Sequence, residues 1–136
     1  MKFKKQEITK KLTNLFSHKP EIILAYLFGS VAENKTHKFS DIDVGVYFKK
    51  APSLKRHLEL INDICSTLET DDVDVVIMNS SSPLITHDIL SYGKLLVCRN
   101  DEFYMDLRIK TLRKYDDMMH ILKIQSKYIF EDAMNG

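Results

Sequence analysis

The chain has 136 residues, enough for one domain that buries an ordinary core without disulfide or metal staples. Twenty Lys and Arg stand against nineteen Asp and Glu, so global charge gives no ground for nucleic-acid or membrane binding. No apolar run approaches the ~20 residues of a membrane span and no secretory leader is visible, which predicts a cytoplasmic protein. From the N-terminus, KFKKQEITKKLTNLF places Ile8, Leu12, Leu15 and Phe16 at helical spacing, predicting an amphipathic helix that ends near His18 and Pro20 with its lysines on a solvated face.

Ile22 to Phe28 (IILAYLF) follows as seven apolar residues between Pro20-Glu21 and Gly29, a length that suits a buried strand. Gly29-Ser30 closes it. Val31 to Phe39 is polar and short, predicting a helical turn and a loop, with His37 and Lys38 read as exposed. DIDVGVYF then predicts a second strand in which Ile42, Val44 and Val46 alternate with Asp41, Asp43 and Gly45. Residues two apart on a strand share a face about 7 Å apart, so the apolar set enters a core while both carboxylates leave on the other side. Two such carboxylates repel unless a cation neutralises them. Their hard oxygens suit Mg²⁺, which keeps several waters and takes further ligands from substrate phosphates. Gly29 lets a phosphate approach the backbone and Ser30 offers a hydroxyl, so turn and strand together read as one phosphate-and-metal site.

Lys49-Lys50-Ala51-Pro52 breaks the strand, and Ser53 is the expected N-cap of a helix from Leu54 to Leu68. Leu54, Leu58, Ile61, Cys65 and Leu68 form its expected buried stripe, leaving Arg56 and His57 at the surface. TDDVDVVIMN predicts a third strand, apolar on both faces except at Asp74. A carboxylate there needs a partner, which the neighbouring metal pair supplies. Asp72 shares its face and competes for the role from the strand mouth. Asn79 to Pro83 reads as a turn, and Leu84, Ile85, Ile89 and Leu90 as a short helix carrying His87 and Asp88 on its surface and closed by Gly93 as C′ residue. Lys94 to Cys98 predicts a fourth short strand. Cys65 and Cys98 form no CxxC and read as reduced core thiols.

From Asp101 onward the pattern is helical, with Leu107, Leu112, Tyr115, Met119, Leu122 and Ile129 as one stripe. Met105, Ile109, Met118, Ile121 and Ile124 lie off it, which predicts a docking surface for another chain. The fold class is α/β (α+β): a mixed sheet of about four strands flanked by helices, with a catalytic core over 1–100 and a helical tail over 101–136.

Gly29-Ser30, ten residues, then Asp41-Ile42-Asp43 resembles the GS-x10-DxD signature of minimal nucleotidyltransferases in the polymerase-beta-like superfamily. VDVVIMN, HDILSYGKLLVCRND and RKYDD extend the resemblance to about Glu21–Tyr115, and it is narrowest to the MNT-type antitoxins of HEPN–MNT toxin–antitoxin pairs. The resemblance implies the nucleotidyltransferase fold and two Mg²⁺ ions held by Asp41, Asp43 and a third acidic residue, matched by Asp74. Gly29 and Ser30 would hold the β- and γ-phosphates of ATP. It implies AMP transfer to a tyrosine of a cognate HEPN-family toxin. Two rivals stand beside it. One is a nucleotidyltransferase for a small hydroxyl compound such as an aminoglycoside, with Asp71, Asp72, Glu102 or Asp106 lining the pocket. The other is a non-catalytic antitoxin that neutralises by covering its partner. Arg113 and His120 match the R-x6-H of HEPN ribonucleases, but the helical bundle that motif needs is not predicted; no GxxxxGK[ST] is present, so a P-loop is excluded.

Overall fold

A computed structural model describes residues 3–29 and 41–135. Its elements are α1 (Lys5–Ser17), β1 (Ile22–Phe28), β2 (Ile42–Phe48), α2 (Leu54–Leu68), β3 (Val73–Ile77), a 3₁₀ turn (Met78–Ser80), α3 (Pro83–Tyr92), β4 (Lys94–Cys98) and α4 (Asp101–Asn135). The strands form one mixed sheet in the order β3-β2-β1-β4. β1 runs antiparallel to both β2 and β4, while β2 and β3 are parallel and joined through α2.

Strand alternation sorts the core into two layers. Ile42, Val44, Val46 and Phe48 of β2, with Ala25 and Leu27 of β1, face Ile8, Leu12 and Phe16 of α1 and Leu60, Ile64 and Leu68 of α2. Leu24 and Tyr26 point the other way, onto Ile89 and Leu90 of α3 and Phe103, Tyr104 and Leu107 of α4. Ile22 joins the first layer because an irregularity in the β1–β2 register, between Ile22 and Leu24, breaks the alternation there.

Polar staples hold the layers at points no periodicity reveals. The Asn79 side chain donates to the Phe48 carbonyl and accepts from the Phe48 N–H, both at 2.9 Å, replacing the strand partner that β3 no longer provides. Asn79→Ala strands both backbone groups, so we expect a loss of about 2 kcal/mol, read as a lower urea midpoint at unchanged slope. The Arg99 guanidinium donates to the Phe16 carbonyl at 2.7 Å and the Ile22 carbonyl at 2.8 Å, tying the end of α1 to the start of β1.

Several expectations change. The buried row of α2 is Leu60, Ile64 and Leu68; Leu54 and Leu58 are exposed because the helix turns the adjacent row to the sheet. Ser53 does cap it, accepting from the Arg56 N–H at 3.2 Å. Arg56 is not idle surface, since it pairs with Glu21 and Glu59. Gly93 is extended (φ −76°, ψ 157°) rather than left-handed; glycine stands there for space, as a Cβ would run into the Ile89 carbonyl and meet Tyr26 Cδ1 at 3.1 Å. His87 is not a bare surface residue but stacks on Tyr115 of α4, ring centroids 3.6 Å apart. Cys65 and Cys98 are free but half-buried, short of the core. In α4, Phe103, Tyr104 and Leu107 pack on the sheet side and Thr111 is buried, whereas Leu112, Met119, Leu122 and Ile129 of the expected stripe are exposed.

Candidate active site

One end of the sheet gathers the acidic residues. Asp43 is the first outward-facing residue of β2, and its direct partners are Phe28 across the antiparallel pair and Asp74 across the parallel pair. Directly paired residues share a face and adjacent strands lie ~4.8 Å apart, so Asp74, Asp43 and Phe28 form a row across three strands. The Ile42 N–H donates to the Asp72 carbonyl at 2.8 Å and fixes this register at the strand mouths. Asp41 does not lie inside the strand as expected; β2 begins at Ile42, and Asp41 is exposed just ahead of it.

The carboxylates feel one another. Burial, then the charges of Asp74 and Asp41, push the Asp43 carboxyl up to about 6. Asp72 is not among the charges acting on it. Asp74 is exposed on the edge strand rather than sunk in an apolar layer, so its partner is required by charge proximity and not by its own burial. Among the described residues no three acidic, His or Cys side chains close into a ready-made metal cage. The open arrangement fits Mg²⁺, whose shell is completed by water and substrate phosphates, and the repulsion at Asp43 is what a dication would relieve.

Gly29 adjoins this row. Its φ of +75° lies in the left-handed region, and a Cβ there would collide with Asp43 Oδ2. The bare α-carbon is what lets the turn press against the carboxylate. Thus Gly29, Asp41, Asp43 and Asp74 are brought together; Ser30, like His37 and Lys38, lies outside the described residues. Of the acidic residues weighed for a small-substrate pocket, Asp71 and Asp72 sit at the mouth of β3 and Glu102 and Asp106 on α4.

Sequence reasoning missed the wall beside this floor. Ile85, Asp88 and Tyr92 follow one another at i, i+3 and i+7 along α3, whose opposite side is buried at Thr86, Ile89 and Leu90. With Phe28 and Gly29 they line a hollow of about 300 Å³. The helical spacing was present in the sequence, but nothing there showed which element that face would overlook.

A mixed sheet with Asp43 on one strand, Asp41 just ahead of it, Asp74 on the parallel neighbour and a glycine turn alongside is the arrangement expected of a nucleotidyltransferase. The family description "Polymerase beta, Nucleotidyltransferase" matches residues 10–102, and the chain belongs to that family. It is similar to the protein adenylyltransferase MntA of Shewanella oneidensis, 30% identical over 117 residues that span 85% of this chain and 78% of that protein. Its fold is similar to that of a toxin–antitoxin complex crystallised with AMP-PNP, at 28% identity and a TM-score of 0.70, covering 93% of this chain and 98% of the matched one. A complex of the tri-AMPylated Shewanella oneidensis HEPN toxin with MNT antitoxin matches at 26% identity and a TM-score of 0.67, covering 96% and 98%.

Proposed function

We propose that this chain is an antitoxin nucleotidyltransferase that moves AMP from ATP to a tyrosine hydroxyl of a HEPN-family ribonuclease toxin, silencing it. The observation that carries the reading is the row of Asp74 and Asp43 beside Gly29, with Asp41 at its mouth, in a member of this family whose similar proteins include a protein adenylyltransferase. Asp41, Asp43 and Asp74 would hold two Mg²⁺ ions, which when bound neutralise the triphosphate and the charge that develops on it. Gly29 and Ser30 hold the β- and γ-phosphates. Asp74 would help remove the proton of the attacking hydroxyl. The tyrosine oxygen bonds to the α-phosphorus as the bond to the bridging oxygen breaks, and pyrophosphate leaves. Positioning and charge neutralisation supply most of the acceleration.

Incubation of the purified chain with ATP, Mg²⁺ and its toxin should raise the toxin's intact mass by one or more AMP units. A stable complex with no mass change would replace this reading with neutralisation by binding alone. The reaction belongs in the cytoplasm, where ATP is plentiful and thiols such as Cys65 and Cys98 stay free; among the described residues no helix is long and apolar enough to cross a membrane.

Within this scheme residues 1–100 are the catalytic core and 101–136 the segment that grips the partner. α4 is 35 residues long, about 50 Å, and beyond Met118 every described residue of it is exposed. Ile121, Ile124, Tyr128, Ile129, Phe130 and Met134 all present large apolar surface there. An Ile121→Asp, Phe130→Asp double variant should weaken complex formation with the toxin by at least about tenfold while leaving ATP binding intact. Size-exclusion chromatography of the mixture reads this directly, and unchanged co-elution would remove the tail from the interface.

A further inference from the structure

α4 carries a second apolar row on the side turned away from the sheet. Phe103, Tyr104 and Leu107 pack inward and Thr111 is buried, whereas Met105, Leu112 and Met119 are 53%, 53% and 43% exposed. Seven-residue spacing drifts only about 20° per step on a helix, so these three share one side. The row is symmetric about Leu112 in its apolar residues and antisymmetric in charge. Arg108 lies four residues before Leu112 and Asp116 four after it; Asp101 lies eleven before and Lys123 eleven after. Each of these charges is three or four residues from a member of the row and so flanks it on the same side. All four are exposed, and none has an ion pair among the described residues.

That pattern selects its own complement. A two-fold axis through Leu112, perpendicular to α4, sets the helix antiparallel against an identical one. Leu112 then meets its counterpart and Met105 meets Met119 of the second copy. Arg108 faces Asp116 of the second copy, and Asp101 faces Lys123 of the second copy. Every charge finds its opposite, and the symmetry repeats each pair. A parallel pairing in register would set like charges together instead. The seam from Asp101 to Lys123 is about 33 Å long. Beside it a hollow of about 210 Å³ opens between α3 and α4, walled by Leu90, Met105, Ile109 and Leu112. The flexible side chain of Met119 from the second copy reaches this hollow, because its place is opposite Met105. Ile121 lies nine residues from Leu112, about half a turn round the helix, so Ile121, Ile124 and Tyr128 stay open to another partner. We propose that the outer side of α4 is a homodimer interface, two copies of this chain pairing antiparallel about Leu112. This goes beyond the transfer reaction and stands independently of it.

The test is sedimentation equilibrium of the full chain without toxin. Wild type should be a dimer, and Leu112→Asp, which sets two carboxylates together on the axis, should raise its dissociation constant at least about a hundredfold. Arg108→Asp and Asp116→Arg should each be monomeric alone at concentrations where wild type is dimeric, since each places like charges together twice. Mixed in equal amounts, the two variants should dimerise. At these two positions the first presents only carboxylates and the second only guanidinium groups, so both contacts are restored. Recovery on mixing also shows that each variant is folded. Single variants that dimerise as wild type does, or a mixture that stays monomeric, would overturn the antiparallel seam. So would a wild-type chain that is monomeric at about 100 μM.

Discussion

Asp43→Asn should lower AMP transfer by about a thousandfold or more and, in the same protein, raise thermal stability at pH 8 in the absence of divalent ions. The expected activity loss follows from the metal-holding role proposed for Asp43, in which several kcal/mol of charge stabilisation is at stake and each 1.36 kcal/mol is tenfold in rate. The stability gain follows from the Asp43 pKa, pushed up from 3.8 to about 6, mainly by burial and then by Asp74 and Asp41. Below pH ~4 the proton is bound in both folded and unfolded chains, and Asp43 takes nothing from stability. As pH rises from ~4 to ~6 the unfolded chain releases that proton first, so stability falls, and above ~6 the loss is complete. Two pKa units correspond to about 3 kcal/mol, and solvent at this half-buried site reduces that to about 1–2 kcal/mol. Asparagine has the same shape and no charge, so its melting curve should lack this descent. Mg²⁺ should then stabilise wild type and leave the variant unmoved. Melts from pH 4 to 8 with and without Mg²⁺ check both parts; identical pH profiles for the two proteins would show that Asp43 is not under the strain the row implies.

What could be read beforehand depended on how local each signal is. The bounds of β1, α2, α3 and β4 were plain because a strand's alternation and a helix's caps are written in adjacent residues, as in Ser53 before Leu54. The GS-x10-DxD spacing pointed to Gly29, Asp41 and Asp43 for the same reason. Which row of α2 faces the sheet was not legible, because Leu54-Leu58-Ile61-Cys65 and Leu60-Ile64-Leu68 both fit helical spacing and only the sheet chooses between them. Asn79 against Phe48 and Arg99 against Phe16 and Ile22 were invisible since their partners lie 31, 83 and 77 residues away. Asp74 was found through the family resemblance and through an argument about burial, and the structure does not support the second, since Asp74 is exposed. The strand register places it opposite Asp43 all the same, because the parallel pairing runs in step from Ile42–Val73 to Val46–Ile77.

Gly29→Ala should damage both activity and fold, in contrast to Asp43→Asn, which separates them. The φ of +75° strains any L side chain, at about 1–2 kcal/mol. The new methyl would also occupy the space of Asp43 Oδ2, so either the turn or the carboxylate must move. Together we expect a stability loss of about 3 kcal/mol and a fall in transfer of at least about a hundredfold, since displacement of a reacting group by an ångström is enough for that. The two causes separate in a double-mutant cycle. In an Asp43→Ala background the carboxylate is gone and only backbone strain remains, so Gly29→Ala should take about 1–2 kcal/mol instead of 3. Equal losses in both backgrounds, measured by urea unfolding, would mean that the turn does not press on Asp43. Gly29 and Asp43 would then be separate features rather than one site.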